Sequence, residues 1–154
     1  MSEGKLSAGD SAPDFALKAH DEEEVRLSDF AGKRVLLSFH PLAWTSVCRN
    51  QMSDLEANYQ TFKEENVVPL GISVDPQPSK KAWAEDLRLE NLKILSDFWP
   101  HGDVAGKYGL FREEDGISER ANVLIDEEGK IEFIKIYSLG ELPDIEELIE
   151  AVKA

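Results

Sequence analysis

Residues 35–55, VLLSFHPLAWTSVCRNQMSDL, decide how the rest of the chain is read. The run RVLLSF (34–39) is short, apolar and β-branched near its start, which predicts a central strand covered on both faces. Pro41 ends it, because proline has no N–H to give to a ladder. Beyond it the apolar positions Met52, Leu55, Tyr59 and Phe62 mark one face of a helix that closes near Glu64, Glu65 and Asn66. Cys48, the chain's single cysteine, stands where that helix starts.

A thiol attacks as its thiolate, and a free cysteine with a pKa of about 8.5 is only a few per cent ionised at neutral pH. A helix starting near Ser46 or Val47 would aim the unpaired N–H groups of its first turn at the sulfur and favour negative charge there. A nearby cation would add to this. Arg49, Arg112 and Arg120 are the candidates. Arg49, next to Cys48 in the chain, is expected off another helical face, so a strand-borne Arg120 is the better partner. The bland alternative is an inert buried thiol.

Working back toward the N-terminus, residues 1–12 are polar and read as extended or frayed up to Pro13. DFAL (14–17) alternates with period two and predicts a short strand. DEEE (21–24) is an exposed turn, and Ser28-Asp29 caps a short helical turn ended by Ala31-Gly32-Lys33.

Working forward, VVPLGISV (67–74) is the next strand, with Pro69 expected at an edge or bulge. A helix opens at Ser79 carrying Ala82, Trp83 and Leu87, and 92–95 is a short strand. Asp103 is placed to cap a turn holding Val104 and Tyr108. Residues 111–118 read as a loop. RANVLID (120–126) and KIEFIKIY (130–137) form a hairpin around Gly129. A last helix follows Pro143, buried along Ile145, Leu148, Ile149 and Val152. The order is that of an α/β chain with a mixed β-sheet flanked by helices, and it suits a thioredoxin-like fold.

The 154 residues suffice for one domain, 1–154, able to bury a core without disulfides or metal. No apolar run nears the about 20 residues that cross a bilayer, and MSEGKLSAGD does not read as a secretory leader. A single cysteine fits a reducing compartment, so the expected location is cytoplasmic. Thirty-one acidic against seventeen basic residues give a net charge of -14. Such a surface repels phosphate backbones and anionic lipid, which argues against nucleic acid and membrane as partners. His20, His40, His101 and Cys48 lack metal-ligand spacing, so neither metal nor cofactor is expected.

Pro41-Leu42-Ala43-Trp44-Thr45-Ser46-Val47-Cys48 matches P-x-x-x-T-x-x-C, the active-site signature of the peroxiredoxins, and the chain resembles that family along most of its length. The resemblance continues in Asp10-Ser11-Ala12-Pro13-Asp14-Phe15, in Leu27-Ser28-Asp29-Phe30-Ala31-Gly32-Lys33, in Gly71-Ile72-Ser73-Val74-Asp75 with Trp83 beyond, and in Leu95-Ser96-Asp97. The segment 97–102 and the short C-terminal end look most like the one-cysteine alkyl hydroperoxide reductase E subgroup.

The resemblance implies a thiol peroxidase acting on hydrogen peroxide or organic hydroperoxides. Cys48 would be the nucleophile. Thr45 would hold peroxide and thiolate in attack geometry, Arg120 would stabilise the thiolate and the leaving oxygen, and Pro41 would shield the sulfur. Taken alone, Thr45 reads as a helix cap and Arg120 as a solvated strand-end residue. His40 reads as a structural histidine or an acid–base group, and Trp44, Trp83 and Trp99 as packing residues. Departures from the family pattern include His40, at a position where tyrosine or phenylalanine is common. Ser53 stands where one subgroup carries a resolving cysteine. With no second cysteine, the sulfenic acid of Cys48 would be reduced by an external thiol, either a small molecule or a thioredoxin- or glutaredoxin-like protein. A homodimer is expected. Two alternatives are a redox relay that passes oxidation to a partner protein, and a scaffold with an inert thiol.

Overall fold

The computed structural model describes residues 6–154. Seven strands form one mixed sheet in the order β2-β1-β5-β4-β3-β8-β9. They are β1 (Ala16–Ala19), β2 (Glu24–Arg26), β3 (Arg34–Phe39), β4 (Val67–Ser73), β5 (Lys93–Ser96), β8 (Arg120–Ile125) and β9 (Ile131–Tyr137). A separate two-stranded ribbon pairs β6 (Phe111–Arg112) with β7 (Ile117–Ser118). The helices are α1 (Ser46–Ala57), α2 (Tyr59–Glu64), α3 (Gln77–Leu87), α4 (Asp103–Lys107) and α5 (Ile145–Lys153).

β3 explains why its sequence is apolar without alternation. Val35, Leu37 and Phe39 point into one core with Val104, Ala105 and Tyr108 of the α4 region. Leu36 points into a second core with Met52, Leu55, Phe62, Trp83, Leu148 and Val152. Both faces are covered, as expected of an interior strand. β3 runs parallel to β4 and antiparallel to β8, with Ser38 opposite Asn122 and Phe39 opposite Ala121. That register carries the start of β8 to the C-terminal end of β3, where Pro41 turns the chain toward α1.

Pro69 lies inside β4, the strand between β3 and β5. The carbonyls of Asn66 and Ile72 accept from β3 and its end, through the amides of Arg34 and His40, whereas Ser73 O accepts from Asp97 on the β5 side. Even-numbered residues of β4 therefore face β3, and odd-numbered ones face β5. Pairing with β5 starts only at Leu70 opposite Lys93, so the missing N–H of Pro69 falls beyond the end of β5, a local edge within an interior strand. Gly71 permits close packing two residues on: a Cβ there would lie 2.5 Å from Met52 Sδ and 3.3 Å from His40 Cε1.

Several element boundaries differ from expectation for identifiable reasons. The helix expected to run unbroken to residue 64 is interrupted at Asn58, whose side-chain amide donates to Asp54 O alongside its own backbone N–H. α3 begins at Gln77, two residues early, because Pro78 falls in the first turn, where a helix needs no N–H. Asp97, not Asp103, caps α4: its carboxylate accepts from Val104 N at 3.0 Å and Ala105 N at 2.9 Å. The first strand is Ala16–Ala19 rather than 14–17, and the loop expected at 111–118 contains the β6–β7 ribbon. The hairpin and last helix are as expected, with Asp144 capping α5 through Glu146 N and Glu147 N. Of the N-terminal stretch expected to fray, residues 1–5 lie outside the described residues. Gly9 and Ala12 are pinned through Ile131 O and Gly129 O.

Candidate active site

α1 begins at Ser46, with Thr45 in the extended N-cap position, so Cys48 occupies the third residue of the first turn. No acidic residue stands in that turn, so the positive end of the helix is not offset beside the sulfur. The Cys48 side chain is fully buried and unpaired with any other cysteine.

Arg120 reaches the sulfur from β8. Its Nη1 lies 3.3 Å from Cys48 Sγ and 2.7 Å from Gln51 Oε1. Its opposite edge is held by Leu139 O, at 2.9 Å from Nε and 2.6 Å from Nη2. Gln51 is fixed in turn, donating from Nε2 to Ser38 Oγ at 2.7 Å and to Phe39 O at 3.2 Å. The guanidinium, only 3% exposed, therefore has little rotational freedom and keeps one N–H on the sulfur. A hydrogen bond from a cationic donor in so dry a setting is stronger than one made in water.

The connecting loop is braced from beneath. Asp75 Oδ2 accepts from Ala43 N at 2.8 Å and from Ser73 Oγ at 2.6 Å. Trp44 adopts a left-handed φ of 71°, a conformation costly for a residue with a Cβ, and its indole donates to Ser79 Oγ at 3.2 Å. Thr45 Oγ1 donates to Leu42 O at 2.9 Å. Its side chain makes no cap bond, while its carbonyl accepts from Arg49 N at 2.9 Å. Pro41 is buried at the loop's entrance.

His40 and Lys80 lie side by side with no exposed surface. Lys80 Nζ is 2.9 Å from His40 Nε2 and 2.5 Å from Ser73 Oγ, and His40 Nδ1 is 3.3 Å from Ser38 O. The consistent assignment has a neutral imidazole that donates from Nδ1 and accepts at Nε2. Burial, then the Lys80 charge, holds His40 well below its ordinary range. Burial also lowers Lys80 to about 7, opposed by the charges of Asp75 and Cys48.

Of the expected site residues, Cys48 and Arg120 are in contact, and Thr45 and Pro41 lie on the loop leading to Cys48. Arg49 points away, paired with Asp86 at 2.5 Å. Arg112 is not a partner for the sulfur, since Asp115 and Glu119 occupy its guanidinium. Of the three tryptophans only Trp83 packs in the core. Trp44 at 52% and Trp99 at 80% exposure do not, because the loops carrying them fold outward. His40 is a fully partnered buried histidine. Sequence reasoning missed Gln51 as a brace, although it stands one helical turn beyond Cys48. It also did not single out Lys80, which stands between Ser79 and Lys81 on α3.

The family model described as AhpC/TSA matches residues 8–134. Alkyl hydroperoxide reductase E of Mycobacterium tuberculosis is 39% identical over 140 residues, covering 90% of this chain and 91% of that one. Peroxiredoxin Bcp of Escherichia coli is 40% identical over 136 residues, 84% of this chain and 85% of that one. Among solved structures, the reduced 2-Cys peroxiredoxin of Plasmodium vivax superposes with a TM-score of 0.86 at 31% identity, covering 96% of this chain and 80% of that one. Enterococcus faecalis AhpC gives 0.87 at 28%, covering 97% and 92%. The thioredoxin-like fold expected from the sequence is borne out by these neighbours. The chain belongs to the AhpC/TSA family of peroxiredoxins.

Proposed function

We propose that this chain is a thiol-dependent peroxidase in which Cys48 is the residue oxidised, within a single domain spanning 1–154. The contact of Arg120 Nη1 with Cys48 Sγ at 3.3 Å, both groups buried, is the observation that carries this reading. The Cys48 thiolate attacks one peroxide oxygen. The S–O bond forms as the O–O bond breaks, sulfur gives up two electrons, and the departing oxyanion takes a proton to leave as water or an alcohol. Arg120 offers its N–H where that charge develops. Thr45, its own proton committed to Leu42 O, has lone pairs free to accept the peroxide O–H and orient it. Pro41 keeps bulk water from the sulfur.

With one cysteine in the chain, the sulfenic acid is resolved by an external thiol. The first thiol forms a mixed disulfide and releases water, and a second returns Cys48 to the thiol. Two features support a homodimer: the exposed apolar side chains Leu42 and Trp44 on the active-site loop, and Phe98 and Trp99 on the segment before α4. Among the described residues no helix is long and apolar enough to cross a membrane, and the single unpaired thiol suits a reducing, cytoplasmic setting.

Mass spectrometry after one equivalent of hydrogen peroxide tests the reading. One oxygen atom should appear on Cys48, be removed by added thiol, and be absent from Cys48→Ser. Undiminished peroxidase turnover in Cys48→Ser overturns it.

A further inference from the structure

Lys80 is a fully buried cation that the reaction as described leaves without a role. It stands at the junction of two hydrogen-bonded chains that both end on the active-site loop. One runs from Nζ through Ser73 Oγ and the Asp75 carboxylate to the Ala43 amide. The other runs from Nζ to Nε2 of His40, the residue preceding Pro41. The indole of Trp83 closes the remaining side, 5.7 Å from Nζ to the ring centroid, and stacks 5.5 Å from the imidazole. An ammonium removed from water persists only where anionic charge offsets its desolvation. The offsetting charges are Asp75 and Cys48.

The charged groups facing this centre come from every element around it: Cys48 from α1, Asp75 from the end of β4, and Arg120 from β8, which acts on the neighbouring His40. His20, beyond β1, also feels the Lys80 charge. With Cys48 as thiolate and His40 neutral, two cations, Lys80 and Arg120, face two anions, Asp75 and Cys48. Discharging Lys80 leaves a buried excess of negative charge. The sulfur's charge favours the Lys80 proton, and an interaction between two ionisable groups acts in both directions.

We propose that Lys80 is a positioning residue for Cys48: its ammonium balances the Asp75 carboxylate that holds the loop and, with Arg120, favours negative charge on the sulfur. The proposal deepens the peroxidase reading and rests on it. Reactivity at Cys48 then depends on a proton held at Lys80 and falls as pH rises through about 7, where that proton leaves.

The test measures three pH profiles on the reduced protein: the stopped-flow rate with hydrogen peroxide, the rate of Cys48 alkylation by iodoacetamide, and the NMR titration of the lysine ε-carbons. The wild-type peroxide rate should climb with thiolate formation and then fall as pH passes about 7. In Lys80→Met the rate below that point should be about tenfold lower, the order expected of one unit charge near a partly dry site, with the falling limb gone. Lys80→Arg, which keeps its charge, should retain the rate and lose the falling limb. A purely structural lysine would change stability but leave the profile's shape alone, so identical shapes in wild type and Lys80→Met overturn the proposal.

The wild-type NMR titration is independent of variant folding. One lysine should titrate near 7 in wild type and at lower pH in Cys48→Ser, and a wild-type protein in which every lysine titrates in the ordinary range overturns the proposal. If the peroxidase reading itself were wrong, the peroxide rates would fail while alkylation and NMR still reported the Lys80–Cys48 coupling.

Discussion

Arg120 Nη1 lies 3.3 Å from the sulfur of Cys48, a residue 72 positions earlier in the chain. The contact exists because β8 lies antiparallel against β3 with Phe39 opposite Ala121, so the start of β8 falls where α1 begins. Both ends of the guanidinium are held, by Leu139 O on one side and Gln51 on the other, which makes the donor preorganised rather than merely near.

Arg120→Lys keeps the charge but loses the fork that binds Leu139 O, Gln51 and the sulfur together. The second-order rate constant with hydrogen peroxide should drop by roughly 100- to 1,000-fold, as when one fixed donor to developing negative charge is removed. Stopped-flow fluorescence checks this, and a lysine variant as fast as the parent would show that only charge matters at this position.

Gln51→Leu leaves the Arg120 Nη1 proton and Ser38 Oγ without their amide partner in a buried setting. Stability should fall by about 1–3 kcal/mol, read by urea denaturation, with a slower peroxide reaction as Arg120 loses one anchor. Unchanged stability would mean that other groups take up both bonds.

Thr45→Val should leave stability within about 0.5 kcal/mol, because the side chain is exposed and caps nothing. The peroxide rate should nevertheless fall roughly 100-fold, the scale expected when a reactant loses its orienting contact. Thr45→Ser, which keeps the hydroxyl, should recover most of the rate. Equal losses in both variants would argue against the hydroxyl.

Gly71→Ala and Gly106→Ala should differ in sign. At Gly71 the new methyl meets Met52 Sδ at 2.5 Å in a packed core, costing about 1–3 kcal/mol. At Gly106, within α4, it meets nothing within 4 Å, and the helix should gain about 0.5–1 kcal/mol. Thermal melts of the two variants compare them directly.

Lys80 also ties stability to pH. Its folded pKa is about 7, against an ordinary value of 10.5 that stands for the unfolded chain. Between these values the unfolded chain holds the proton and the folded chain does not, so this group makes stability rise with pH across that window. The penalty is greatest below about 7 and fades toward 10.5. His40, lowered in the same direction from 6.5, makes stability fall as pH drops below that value. Denaturation of wild type and Lys80→Met across the upper window should give a stability difference, favouring the variant, that shrinks as pH rises. A constant difference would mean that Lys80 keeps its proton throughout.

The sequence by itself determined what is local and repetitive. The apolar run of β3, the stop at Pro41, the helix face through Met52 and Leu55, and the turn-flanked strands of the hairpin follow from periodicity and from proline chemistry. The spacing that puts Cys48 in a first helical turn is equally local, which is why Cys48 was legible as the candidate nucleophile. Tertiary structure decided everything that depends on register between distant segments. Of three cationic candidates the sequence favoured the strand-borne Arg120, but the partners came only with the fold: Arg49 pairs with Asp86, Arg112 with Asp115 and Glu119, and Arg120 meets the sulfur. Pro69 looked misplaced until the short reach of β5 gave it a local edge. Nothing in the sequence singled out Lys80, because a side chain's burial is set by what packs over it. Only the folded chain places His40, Ser73 and Trp83 around its ammonium.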